Sequence, residues 1–558
     1  MKPLVISAEN DIMVDDVIDV AIHGRRVELA PATKRLLDKR RAEIESYIDS
    51  NPDKRAYGFN TGFGHNVRLG VDDPSLLSKL QRSLIRSHSS GVGPDAEIDV
   101  VRATMLLRAR SLARGHSAVR AIVVETLLAF LNAGVTPAVP SFGSVSASGD
   151  LAPLSHIAHA LMGEGKVYFR GRRIAAAKAL KTSRIKPLVL EMKEGLALNN
   201  GVQYSTALGI LAAHRLDALL KTAAIATALS AQVMLGADTP FREDLHALRR
   251  HAGGQRVAKW VFTLMKGSPL REAHRNYDID GEIQDPYNLR CAAQILGTCA
   301  ELLERAQKTF AIETNSVTDN PILLPRGGKF IDIVSGGHFH GMPVAVDLYG
   351  LVQAAAIMAT LVNLRCERYV DAKRNKGLGA DLKWPGDLDL LKRAGDRRGD
   401  DAGLRRAQAI SSSIMIPEYA TAALANAIWG MAMPSHLFSL STDAGQEDHV
   451  SMAANVGLRL LDILPRLADA LAIELAFALQ ASAIRKEMRV IPARPDSVRL
   501  GAAACRLNPV SEAVLSEVGR HFHVVKEDRS LSAEIAALAR AVLDGDIVRR
   551  ATDAGMRF

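Results

Sequence analysis

Apolar residues recur along this chain at the three- and four-residue intervals of an α-helix more than at the alternating interval of a strand. Leu76, Leu77, Leu80, Leu84 and Ile85 share one side of a helix expected to end near Ser87 and His88. Residues 118–132 form a second amphipathic stretch, closed by Gly134. From Gln203 onward long helical patterns dominate, over 288–312, 343–372 and 455–484. In the last, leucines at 460, 464, 467, 471 and 475 keep a stripe past Pro465, where a kink is expected. Strand signals are few: a short strand and turn before a helix over 33–48, and a hairpin over 166–174 turning at Gly171. The pattern predicts a mainly α protein. A loop-rich helical N-terminal domain covers 1–205 and a long-helix bundle covers 206–558. A mixed-charge stretch near 374–406 interrupts the bundle pattern and reads as a solvated insert.

Composition narrows the class. The 558 residues are 48% hydrophobic and only 5% aromatic, which favours helix over sheet. The net charge of +9 has no clustered basic stripe with interleaved aromatics, so it reads as solubility rather than nucleic-acid binding. The four cysteines, Cys291, Cys299, Cys366 and Cys505, form no close metal-type pair and no disulfide framework. A reducing cytoplasm is expected, and no signal peptide is evident at the N-terminus. The most apolar stretch, 204–237, is interrupted by His214, Arg215, Asp217 and Lys221, and reads as a buried helix rather than a membrane span.

The chemistry centres on Gly143-Ser144-Val145-Ser146-Ala147-Ser148-Gly149-Asp150-Leu151-Ala152-Pro153. Pro137 and Pro140 make its approach extended, and a helix is expected to begin near Asp150 or Pro153. Attack of the Gly149 nitrogen on the Ala147 carbonyl would close a five-membered ring, for which a residue without Cβ is suited. Loss of water from the ring, and of the Ser148 hydroxyl as water, would leave a 4-methylidene-imidazol-5-one, an electrophile built from backbone. Upstream, Tyr57 to Leu69 is a glycine-rich loop without the Gly-Lys-Ser/Thr ending of a phosphate loop. It reads as a mobile lid carrying Tyr57.

The string around Ala147-Ser148-Gly149 resembles the aromatic amino acid ammonia-lyase and aminomutase family, and is closest to its histidine-type lyases. Further matches follow in chain order: Tyr57-Gly58-Phe59-Asn60-Thr61-Gly62, Asn199-Asn200-Gly201, Gln284-Asp285-Pro286-Tyr287-Asn288-Leu289-Arg290, Asn315 to Pro321, Ser335 to Gly341 and Gln446 to Met452. The resemblance implies removal of ammonia and a β-proton from an aromatic α-amino acid. It implies the methylidene-imidazolone as cofactor, no metal and no nucleotide. Tyr57 is the implied general base, Ser148 the source of the electrophile and Tyr287 the tyrosine that steadies the ring. Arg290 is expected to hold the substrate carboxylate in a bidentate pair. Asn200 and Gln284 are expected to hydrogen-bond ring and substrate, and Phe339 to form an aromatic wall. A homotetramer is implied, with the Tyr57 and Ala-Ser-Gly loops of one site drawn from different subunits. A free tyrosine is ionised only to about one part in a thousand at neutral pH, so its pKa is expected to be lowered by cations or helix N-termini.

Glu447 and His88 point to the substrate's ring. The histidine-type lyases carry Gln-Glu-Asp where this chain has Gln446-Glu447-Asp448, and a carboxylate accepts an imidazole N–H but is costly beside a phenyl ring. L-Histidine, giving urocanate, is therefore the expected substrate. The family's asparagines are replaced here by His338 and Gly445, which keeps tyrosine or phenylalanine lyase, 2,3-aminomutase and modified-histidine lyase as alternatives. A metal pair at His338 and His340 lacks a third ligand motif, and a non-catalytic helical scaffold is the remaining alternative.

Overall fold

The computed structural model describes residues 1–558 except 72, 74, 75, 278, 280–282 and 386–410. Most of the charged stretch expected near 374–406 therefore lies outside the described residues. The chain is mainly helical, as the apolar periodicity indicates. Strands are short and pair locally: Leu4–Ile6 runs parallel to Val27–Leu29, and Lys166–Phe169 forms an antiparallel hairpin with Arg172–Ala175. Gly171 turns that hairpin at φ +74°.

Two compact units divide the chain. The first comprises Met1–Ala213, Arg305–Tyr349 and Pro434–Leu460; the second comprises His214–Glu304, Gly350–Met433 and Leu461–Phe558. Four long helices, Gln203–Val233, Ala292–Thr314, Met342–Val370 and Ala453–Met488, each begin in one unit and end in the other. The helix Ala453–Met488 continues through Pro465. Three of the four are long and apolar enough to cross a membrane. Within the protein their most apolar windows are already 83% (Gln203–Val233), 61% (Met342–Val370) and 83% (Ala453–Met488) buried.

Inside the first unit, the helix Ile98–Ala113 is buried on every side. Its arginines serve as internal caps. Arg102 donates to Val20 O at 2.7 Å and Ala21 O at 3.0 Å, satisfying carbonyls at the end of the helix Val14–Ala21. Arg110 reaches Ser7 O at 2.8 Å and the Asn315 side chain at 2.9 Å. In the second unit, Arg485 caps the helix Gln203–Val233 through Val233 O at 3.0 Å. There the fully buried pair Arg365–Glu474 closes at 2.5 and 2.8 Å, and Ser230 donates to the same carboxylate at 2.8 Å.

Candidate active site

Two short strands, Thr136–Pro137 and Pro140–Phe142, bring the chain to the Ala-Ser-Gly loop in the extended form that their prolines favour. The helix Leu151–Leu161 leaves it, with Asp150 at the N-cap. Gly149 sits at φ +78° beside Gly201, and a Cβ there would stand 2.2 Å from Gly201 O. Only glycine is accommodated. Asp150 N–H donates to the same carbonyl at 2.7 Å.

The Asp150 carboxylate is fully buried and gathers the loop around itself. It accepts from Ser205 N at 2.8 Å and from the hydroxyls of Ser205, Ser146 and Ser144 at 2.7, 2.9 and 3.1 Å. Burial pushes its pKa up, and these donors pull it back. The turn carrying Asn200 is held by Arg108, which donates to Asn200 O and Gln203 Oε1, both at 2.9 Å, and to Ala197 O. Burial lowers the Arg108 pKa to about 10. The buried Asn200 Oδ1 has no hydrogen-bond partner. A glycine with no room for Cβ, a buried acid at the end of the tripeptide that binds the serines before it and Ser205, and an unpaired amide oxygen next to Gly201 all fit a backbone-derived ring at 147–149.

Glu447 is the meeting point of the first unit's polar groups. The Ser148 hydroxyl donates to its Oε1 at 2.6 Å, and the Thr442 hydroxyl donates to Oε2 at 2.7 Å. Thr442 N also donates to Glu447 O at 2.9 Å, and Asp443, Ala444 and Gly445 between them all have positive φ. Gly445 is thus part of a tight left-handed turn that presents the glutamate. His88 ends the helix Leu77–His88, with its Nδ1 3.0 Å from the Ser87 hydroxyl. Burial lowers its pKa, while the charges of Glu447 and Asp443 act to raise it.

Tyr57 lies in the same neighbourhood, edge-on to Phe63 at 6.2 Å between ring centres. Its pKa is raised, chiefly by burial, with Asp443, Glu447 and Asp319 adding to the effect against one opposing backbone hydrogen bond at Gly64. This reverses the expectation of a lowered pKa: the charges that reach the phenol are acids. Within one chain the Tyr57 loop reaches the turn before Glu447, where a Cβ at Gly64 would stand 2.4 Å from Asp443 Oδ2, so this loop and the Ala-Ser-Gly loop do not need a subunit boundary to meet. Phe339 is half-buried in the turn where His340 N donates to Gly337 O at 3.0 Å. Two residues on, a Cβ at Gly341 would lie 3.3 Å from Ser146 Cβ, which sets this turn against the Ala-Ser-Gly loop.

Gln284, Tyr287 and Arg290 belong to the second unit. Tyr287 opens the short helix Tyr287–Arg290, and the Arg290 guanidinium stands 4.6 Å from the centre of the Tyr287 ring. Arg290 Nε donates to Asp285 O at 2.7 Å, while Asp285 Oδ2 accepts from Ala237 N at 2.7 Å. Gln284 and Arg290 line a cavity of about 800 Å³ within that unit, with Arg242, Arg271, Arg275 and Lys376.

A sequence model of the aromatic amino acid lyase family matches residues 12–504. The chain belongs to this family. Histidine ammonia-lyase of Deinococcus radiodurans is 39% identical over 474 residues, covering 85% of this chain and 84% of that one. The Gloeobacter violaceus histidine ammonia-lyase is 36% identical over 537 residues, covering 96% and 95%. Among solved structures, tyrosine aminomutase from Streptomyces globisporus superimposes with a TM-score of 0.85 at 30% identity, over the whole of both chains. As an aromatic amino acid lyase the chain is a carbon–nitrogen lyase.

Sequence reading missed several residues that hold this lyase site. Asp150 is expected from sequence only as the start of a helix, whereas its serine contacts come from separate segments, and Ser205 is 55 residues away. Lys193 and Asp319 form a fully buried ion pair, 126 residues apart in sequence. Neither Arg108 nor Thr442 carries a local signal. Among the described residues no group of three metal-ligating side chains gathers, and the His340 and His449 rings instead lie 5.6 Å apart and tilted.

Proposed function

We propose that this lyase removes ammonia from L-histidine to give urocanate, using a 4-methylidene-imidazol-5-one formed from Ala147, Ser148 and Gly149. The observation that carries the reading is Glu447, a carboxylate in hydrogen-bond contact with Ser148. A charged acceptor beside the electrophile-forming residue suits a ring that carries an N–H and disfavours a phenyl ring. The histidine ammonia-lyase identities of the Deinococcus and Gloeobacter relatives support the same substrate.

Asn200, with its free amide oxygen, and Asp150 hold the prosthetic group in place. When formed, that group supplies an electrophile that turns the amine into a leaving group. Tyr57 takes the β-proton, Arg290 clamps the substrate carboxylate and Glu447 orients the ring through its N–H. Phe339 forms an aromatic wall beside Glu447, and Gln284 and Tyr287 act with Arg290. We infer a homotetramer in which neighbouring chains share sites. Tyr287 is 67% and Ile283 99% exposed, which suits a segment that another chain covers.

The test is kcat/KM for histidine, tyrosine and phenylalanine on purified enzyme, with products followed by absorbance and β-amino acids by chromatography. Histidine is expected to be preferred, and Arg290→Ala to reduce all three alike by roughly 10- to 100-fold, because all carry the carboxylate. A preference for tyrosine with β-tyrosine as product would make this an aminomutase like its Streptomyces structural neighbour.

A further inference from the structure

With Ser148 still a serine, Glu447 is already occupied. Its Oε1 accepts the Ser148 hydroxyl at 2.6 Å, in the range of a charge-assisted O–H···O bond, and its Oε2 accepts Thr442 at 2.7 Å. That contact sets the carboxyl on an oxygen that must leave before substrate can react. Ser148 is held from two sides. The Asp150 cluster fixes the backbone around it through Ser144, Ser146 and Ser205, yet no hydroxyl of that cluster touches Ser148 Oγ. The carboxyl group placed on the oxygen to be lost is Glu447.

Resting on the proposed ring, we propose that Glu447 is a maturation residue: it holds the Ser148 hydroxyl and protonates it as it leaves. First, the Gly149 nitrogen bonds to the Ala147 carbonyl carbon. The carbonyl oxygen departs as water, carrying the protons of the Gly149 and Ser148 amides. In the second step, the Ser148 Cα–H proton passes to solvent and its electron pair forms the Cα=Cβ bond as Cβ–Oγ breaks. Glu447 Oε1, the acceptor of the Ser148 hydroxyl in the uncyclised chain, takes a proton from solvent beforehand and gives it to Oγ, so the oxygen leaves as a second water and Glu447 returns to a carboxylate. No oxidant or other reactant is needed. Thr442 keeps Glu447 Oε2 engaged, so that Oε1 faces the serine.

Maturation and recognition then share one atom. Loss of the Ser148 oxygen removes the donor from Glu447 Oε1, and that vacated acceptor is the one available to a substrate ring N–H. An uncyclised chain keeps the acceptor covered.

Peptide mass spectrometry of full-length protein tests this, with aliquots taken at intervals after cell-free synthesis. Wild type is expected to lose two waters at 147–149. Glu447→Gln and Glu447→Ala are expected to accumulate a species lacking one water, with the second loss slowed by about 100-fold or more, the scale of general acid catalysis. Thr442→Val should slow the same step less. The one-water species is the signature that general loosening of the loop would not produce, because loosening would leave both waters in place. Circular dichroism and thermal midpoints identify a variant that has failed to fold, and Glu447→Asp, which keeps the carboxyl, is expected to restore part of the second loss. If wild type loses no water, the prosthetic-group reading itself falls. If wild type and both Glu447 variants lose two waters at the same rate, or the variants retain both, only the maturation role falls.

Discussion

Lys193 Nζ and Asp319 Oδ2 stand 2.9 Å apart, with both side chains completely buried. The same ammonium reaches Asn320 O at 3.4 Å, and Asn200 Nδ2 donates to that carbonyl at the same distance. The pair therefore ties residues 319–320 to the turn that carries Asn200. Burial lowers the Lys193 pKa, and only Asp319 keeps the charged form favourable against both desolvation and nearby Arg108.

Removing one partner should cost far more than removing both. Asp319→Asn leaves a buried cation with a neutral partner, and breaking a buried pair costs about 3–5 kcal/mol. Lys193→Met with Asp319→Leu should recover much of that loss, since neither charge then needs compensation. Thermal midpoints of the three proteins check the order. A single variant as stable as the double would contradict it.

Tyr57 should impose an alkaline limb on activity. Its pKa is raised by burial and by Asp443, Glu447 and Asp319, so the phenolate is scarce at neutral pH. If Tyr57 is the base, kcat/KM rises with pH without levelling below the ordinary tyrosine value of about 10. Asp443→Asn removes one of the raising charges and should move the limb to lower pH. Tyr57→Phe should lower turnover by roughly 10²- to 10⁴-fold. The pH–rate profiles of the three proteins decide this, and a limb unmoved in Asp443→Asn would remove Asp443 from the argument.

Acid should loosen the fold through buried neutral histidines. His156 Nε2 accepts the Gly91 N–H at 3.1 Å, and burial, with His159 adding, brings its pKa down to about 4. A folded pKa below the unfolded value of 6.5 means that the neutral form is favoured by folding. The stability it confers is complete above pH 6.5 and is lost as pH falls from 6.5 toward 4. At pH 5 that loss is about 2 kcal/mol. His156→Gln keeps an acceptor for Gly91 without a proton to gain, so its thermal midpoint should fall less between pH 7 and pH 5. Identical falls in the two proteins would exclude this histidine.

Much of the helical architecture is legible because long helices carry a repeating apolar face. The expected stretches over 288–312, 343–372 and 455–484 correspond to Ala292–Thr314, Met342–Val370 and Ala453–Met488. The stretch over 118–132 becomes Ala121–Ala133, closed by Gly134 at φ +66°. The helix Ile98–Ala113 escaped because its arginines imitate a solvent-facing stripe, whereas each is buried against carbonyls or amides of distant segments. Periodicity reports a boundary between protein and water, and this helix has none.

The sequence by itself determined the family and marked the tripeptide Ala147-Ser148-Gly149, because the family's motifs are short and the proposed ring would draw on consecutive residues. It also marked Tyr57, His88 and Glu447 individually, through residue type and local context. Tertiary structure alone decided what surrounds them. Glu447 meets Ser148 across 299 positions of sequence, and Asp150 collects hydroxyls from both sides of a 55-residue gap. Burial, with the acids around Tyr57 adding, raises a pKa that its own loop left unspecified. Electrostatic and hydrogen-bond energies depend on distances of a few ångströms, and for residues far apart in the chain those distances exist only once it has folded.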